Sequence, residues 1–107
     1  MTNCSRNDVV LLPIPFSDLT STKVRPAIVV GHGSVKGDLL VVPVTSRLAQ
    51  ADFPLKDWKG CGLPVPSAVK GQLATVESRL VRKIAGRLSA TDIHTLDARL
   101  RSWLELS

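Results

Sequence analysis

The chain has 107 residues, a length that holds one hydrophobic core and excludes a two-domain reading. Hydrophobic residues make up 44% and charged residues 21%, which excludes a chain too polar to fold. Fourteen Lys and Arg against nine Asp and Glu leave a net charge of +5, a bias towards anionic partners with nucleic acid first.

In chain order, Met1 to Asp8 lacks the basic segment and apolar run of a secretory signal. The apolar stretches Val9–Leu12, Ala27–Val30 and Leu39–Val42 fall far short of the roughly 20 residues that span a bilayer, so no membrane span and a cytoplasmic location are expected. Asp8 to Ile14, Pro26 to Gly31 and Asp38 to Thr45 are rich in Val, Ile and Leu between Pro, Gly, Ser, Asn and Asp, and predict three buried strands. Phe53 to Leu55 predicts a short edge strand, and Lys59 to Pro66 a Gly- and Pro-dense loop. Ala68 to Val76 and Leu80 to Leu88 predict two further strands. Ile93, Leu96, Leu100, Trp103 and Leu104 form the stripe of an amphipathic helix. Ser89 and Asp92 have capping-box spacing at its start, and Asp97, Arg101 and Glu105 are spaced to pair along its exposed side. Together these elements predict a mainly β (α+β) fold, a small SH3-like antiparallel barrel with a C-terminal helix.

The second and third strands form a hairpin through the His32 to Gly37 loop. Pairing Gly31 with Leu39 sets Arg25 opposite Thr45, with Cβ atoms about 5 Å apart on one side of the sheet. A guanidinium beside the hydroxyls of Thr45 and Ser46 suits a phosphodiester. The residues alone also allow a strand-end salt bridge from Arg25 to Asp18. His32 and His94 are far apart in the chain, and no Cys/His spacing indicates a metal, so neither metal nor cofactor is expected. Cys4 and Cys61 read as free thiols, with no base near Cys61 in sequence. Trp58 and Trp103 read as core residues, which leaves Phe16 as the stacking candidate.

Several segments in order resemble the MazF/PemK-type toxin family. They are Asn7 to Leu12, Lys23 to Val30 with its Arg-Pro-Ala, Val42 to Ser46, Gly62 to Lys70, Gln72 to Val76 and Ile84 to Ser89. The resemblance covers nearly the whole chain. It implies a homodimeric endoribonuclease that cuts single-stranded RNA without metal and is restrained by a cognate antitoxin. The family's active-site Arg and Thr map onto Arg25 and Thr45, and Gln72 matches a position that contacts RNA. Phe16, Lys23, Ser46 and Arg47 complete the expected RNA-binding set. Family members commonly begin strand one with Gly-Asp, where this chain has Asn7-Asp8. The segment from Ser17 to Val24 is also short and lacks a Glu often found there.

Two other function classes fit part of the pattern. A non-catalytic RNA-binding module would share the charge. A CcdB-like gyrase poison would share the barrel, but it acts through a C-terminal Trp-Gly-Ile, whereas this chain ends Trp103-Leu104-Glu105-Leu106-Ser107.

Overall fold

The computed structural model describes residues 3–13 and 23–106. Seven strands carry the fold: β1 Asp8–Pro13, β2 Val24–His32, β3 Asp38–Thr45, β4 Phe53–Pro54, β5 Ala68–Val69, β6 Ala74–Glu77 and β7 Lys83–Arg87. Short 3-10 turns occupy Leu48–Gln50 and Ser78–Leu80, and the helix α1 spans Ala90–Trp103. All strand pairs are antiparallel, in the order β4-β5-β3-β2-β1-β7, with β6 also on β3. The expected mainly β class with a C-terminal helix is therefore present. Its sheet is not closed into a hydrogen-bonded ring among the described residues.

The unbroken apolar runs of β1 to β3 have a physical reason: both faces of these strands are covered. Alternate side chains point to opposite sides of a strand. Val9, Ile28, Val42 and Val44 join Leu96 and Leu100 of the helix in one core. Val10, Leu12, Ala27, Val29 and Val41 join Val76 and Val81 in another.

Three bulges shape the ladders. Between Val29 and Gly31, β2 advances two residues while β3 advances one, from Val41 to Leu40. Between Val9 and Val10, β7 likewise gains Ala85. The third splits the strand expected over 68–76. From the Val44–Val69 pair to the Val41–Ala74 pair, β3 moves three residues and its neighbour five. The surplus ejects Gly71, Gln72 and Leu73 as an exposed step. The strand expected over 80–88 is shorter for a different reason, since Ser78–Leu80 forms a 3-10 turn before β7.

The entry to β1 depends on Asn7, whose φ of 76° lies in the left-handed region. Its N–H donates to Val29 O at 2.7 Å and its carbonyl accepts from Leu88 N at 3.1 Å, tying β2 to the end of β7. Glycine suits this backbone best, and Asn is among the few other residues that tolerate it.

At the helix start, Ser89 Oγ accepts from Asp92 N at 3.2 Å, as the spacing predicts. Asp92 does not complete the capping box. Its carboxylate accepts instead from Lys56 N and Asp57 N at 2.9 and 3.0 Å. Leu96 and Leu100 are buried, while Leu104, expected in the stripe, caps the helix and is exposed. Asp97 pairs with Arg6 at 2.6 Å rather than along its own helix. Trp103 is half-buried and packs onto the core, its ring centroid 6.5 Å from that of Phe53.

Candidate active site

Where β2 begins and β3 ends, the sheet opens into a groove of about 570 Å³. The β2–β3 ladder ends at the Ala27–Pro43 pair, and its count, carried two residues beyond that pair, faces Arg25 towards Thr45; both residues line the groove. The anchor pair expected at the tip is wrong by one, because Gly31 meets Leu40 rather than Leu39. The bulge between Val29 and Gly31 absorbs the slip before it reaches the open end.

Arg25 is exposed and precedes Pro26, which favours extended backbone at Arg25. On its other side it pairs in the ladder with the buried Leu12. That pairing with β1 fixes where this guanidinium starts. Thr45 closes β3 half-buried, and its Oγ1 accepts the Arg47 N–H at 3.0 Å. With that lone pair engaged, the hydroxyl hydrogen can serve an acceptor in the groove.

Five of the seven expected residues line this groove: Arg25, Thr45, Ser46, Arg47 and Gln72. Lys23 is exposed just before β2 but is not in the lining. Phe16 and Asp18, the expected stacker and the alternative salt-bridge partner, lie outside the described residues. Sequence reasoning missed Lys70 and Gln50, which also line the groove. Lys70 comes there because its N–H donates to Pro43 O at 3.0 Å, extending the β3–β5 ladder by one step. No local signal announces a pairing across so long a connection.

The segment carrying Gly62, Leu63, Pro64 and Val65 also lines the groove. Arg25, Arg47 and Lys70 give the lining three cations, and its described residues include no Asp, Glu, His or Cys. Such a surface favours an anion and offers hydroxyl and amide groups to its oxygens. It exposes prolines and aliphatic side chains to whatever lies beyond the charge.

Other candidates fall elsewhere. Cys61 is fully buried, and its Sγ donates to Trp58 O at 3.3 Å. Burial raises its pKa above the ordinary thiol value, and the Asp92 and Asp57 carboxylates push in the same direction. A buried, protonated thiol is a poor nucleophile. His32 sits at the far end of β2 from Arg25, and His94 is exposed on the helix.

No individually curated protein matches the chain. Residues 5–104 do match the family model of the PemK-like, MazF-like toxins, so the chain, whose groove Arg25 and Thr45 help to line, belongs to that family of type II toxin–antitoxin systems.

Proposed function

We propose that this toxin is a metal-independent endoribonuclease that cuts single-stranded mRNA and so arrests translation and growth. The observation that carries the reading is the groove's lining, in which Arg25, Arg47 and Lys70 surround hydroxyls with no carboxylate among the described lining residues. RNA supplies its own nucleophile. The 2′-hydroxyl oxygen bonds to phosphorus as the bond to the 5′-oxygen breaks, leaving a 2′,3′-cyclic phosphate and a 5′-hydroxyl. One proton leaves the 2′-oxygen and one reaches the departing 5′-oxygen, with solvent completing the exchange.

The protein's part is to hold the phosphate in line and to stabilise charge on its non-bridging oxygens. Arg25 forks onto those oxygens, Thr45 and Ser46 donate from the side, and Arg47 and Lys70 add positive field. Gln72, pushed out on its step, reads the strand next to the scissile phosphate.

The family implies an antitoxin partner. An acidic, flexible segment complements this basic groove and would compete with RNA there. A homodimer would cover the exposed Leu73, Leu104 and Leu106, which line a second depression of about 350 Å³ together with Arg6, Asp97 and Arg101. Light scattering at micromolar concentration is expected to give twice the chain mass, and a monomer would refute that assembly. No described helix is long and apolar enough to cross a membrane. The substrate places the toxin's action in the cytoplasm.

The test uses long single-stranded RNA in EDTA with end mapping, beside an oligonucleotide carrying one 2′-deoxy sugar at the mapped site. Cyclic-phosphate ends and a deoxy substrate that binds but stays whole are expected. Binding without cleavage of either strand would leave a non-catalytic RNA-binding module. Cutting of the deoxy strand would mean that water attacks directly.

A further inference from the structure

The groove has one wall made of sheet and one made of loop, and the two are held by different means. Arg25 and Thr45 stand on ladder-paired strands. Gly62, Leu63, Pro64 and Val65 belong to a connection of some dozen residues between β4 and β5. That connection is fixed from behind, away from the groove. Asp92, 1% exposed in the first turn of α1, receives the N–H groups of Lys56 and Asp57 where the loop begins. Further on, loop and β7 touch backbone to backbone. A Cβ on Gly62, whose φ is +90°, would lie 2.2 Å from Ala85 O, and one on Gly86 would lie 2.4 Å from Cys61 O. Between these points the loop closes on itself, Cys61 N donating to Asp57 O and Leu63 N to Trp58 O.

We infer that Asp92 is a positioning residue for RNA: its buried carboxylate, with the Gly62–Gly86 contact, sets the loop wall of the groove at the spacing a single strand requires. The inference rests on the ribonuclease reading and adds a residue that never touches substrate. It also says which kinetic constant the residue controls. On that reading the loop wall carries none of the scissile phosphate's ligands and meets sugar and base equally in ground and transition states. Loosening it removes uniform binding, which raises KM and spares kcat. Arg25 and Thr45 keep their positions because the sheet, not the loop, holds them.

Asp92→Asn replaces one acceptor by an NH₂ facing a backbone N–H, which breaks one of the two tethers. Gly86→Ala lifts the same loop from the β7 side without touching the carboxylate. Val76→Ala, in the other core, serves as a control of comparable destabilisation away from the loop. In steady-state cleavage well below each melting point, both loop variants are expected to raise KM about tenfold with kcat within about twofold. Val76→Ala should keep the wild-type KM. Hydrogen exchange at the Lys56 and Asp57 amides should quicken in Asp92→Asn alone.

An unchanged KM in either loop variant that folds overturns the inference, as does an equal rise in Val76→Ala. Should wild-type protein leave the RNA intact, it is the ribonuclease reading that fails. The wall is then judged by RNA affinity from fluorescence anisotropy, where the same tenfold weakening is expected and an unchanged Kd refutes it.

Discussion

Replacing Thr45 by Val keeps the side chain's volume and β-branching while exchanging its hydroxyl for a methyl. That hydroxyl accepts Arg47 N–H at 3.0 Å in the structure, and on the proposed function it has a second job, donating its own hydrogen to the phosphate in the groove. The first job contributes little to stability. The bond is exposed, the freed Arg47 N–H finds water, and a neutral hydrogen bond contributes about 1 kcal/mol net, so unfolding in urea should shift by less than that. The second matters more for catalysis. Losing one preorganised donor to a transition-state oxygen costs on the order of 100-fold in rate, about 2.7 kcal/mol. Thr45→Ser retains both jobs and should recover most of the activity. The assay is kcat/KM on a single-stranded RNA in EDTA for the three proteins, beside their urea curves. Thr45→Val cutting within about threefold of wild type would refute the role given to the hydroxyl, as would a Ser variant no better than Val.

Arg25→Ala should lower cleavage by more than Thr45→Val, at least on the order of 100-fold, with an unchanged melting temperature because the side chain is exposed; near-normal activity in the folded variant contradicts the site. Asn7→Gly should raise stability by about 1 kcal/mol, since it relieves the left-handed backbone and removes a buried Oδ1 without a partner among the described residues. Asn7→Val should lower it, and denaturation curves that rank the two variants the other way would refute this account. Cys61 stabilises the fold while protonated. Its folded pKa is raised, so that contribution is present below the ordinary thiol range near 8.5 and is lost as pH climbs through the higher folded value. Unfolding free energy should therefore fall above about pH 8.5, less steeply in Cys61→Ala, with no tyrosine in the chain to confuse the titration. Parallel pH profiles for the two proteins would refute it.

What could be read from sequence was what local chemistry dictates. Apolar runs between Gly and Pro marked β1, β2 and β3, and the 3.6-residue stripe with Ser89 marked the helix. Arg25 and Thr45 could be named together because one hairpin register, carried past the Ala27–Pro43 pair, faces them, and both line the groove. Long-range pairing hid the rest. Asp92 has the spacing of a local cap, yet its carboxylate is taken by amides of Lys56 and Asp57, far away in the chain. Lys70 and Gln50 reach the groove only through the meeting of β3 with β5 and the 3-10 turn after β3. The break after Val69 falls at Lys70-Gly71-Gln72, where the glycine was a local signal, but its size arises from β3's own length against two partners. Asn7 in place of the family's usual Gly reads as a departure in sequence. In the structure it meets the same backbone demand.

The extra residue between Val29 and Gly31 divides the β2–β3 hairpin into two mechanically separate halves. On the tip side, Gly33 N donates to Asp38 O, Gly37 is left-handed, and Gly37 O accepts from Ser78 N at 2.7 Å. On the open side, the pairs from Val29 to Ala27 carry the alignment that the groove depends on. A bulge is a slack link, so a residue gained or lost in the turn can be taken up there without reaching Arg25. The exposed Ser34, Val35 and Lys36 are thus the natural place to graft a label or a binding loop, between Gly33, where a Cβ would meet Asp38 Cβ at 2.8 Å, and the left-handed Gly37. The other end of the same two strands has no such freedom, since a one-residue shift there would send the guanidinium to the opposite face from its hydroxyl.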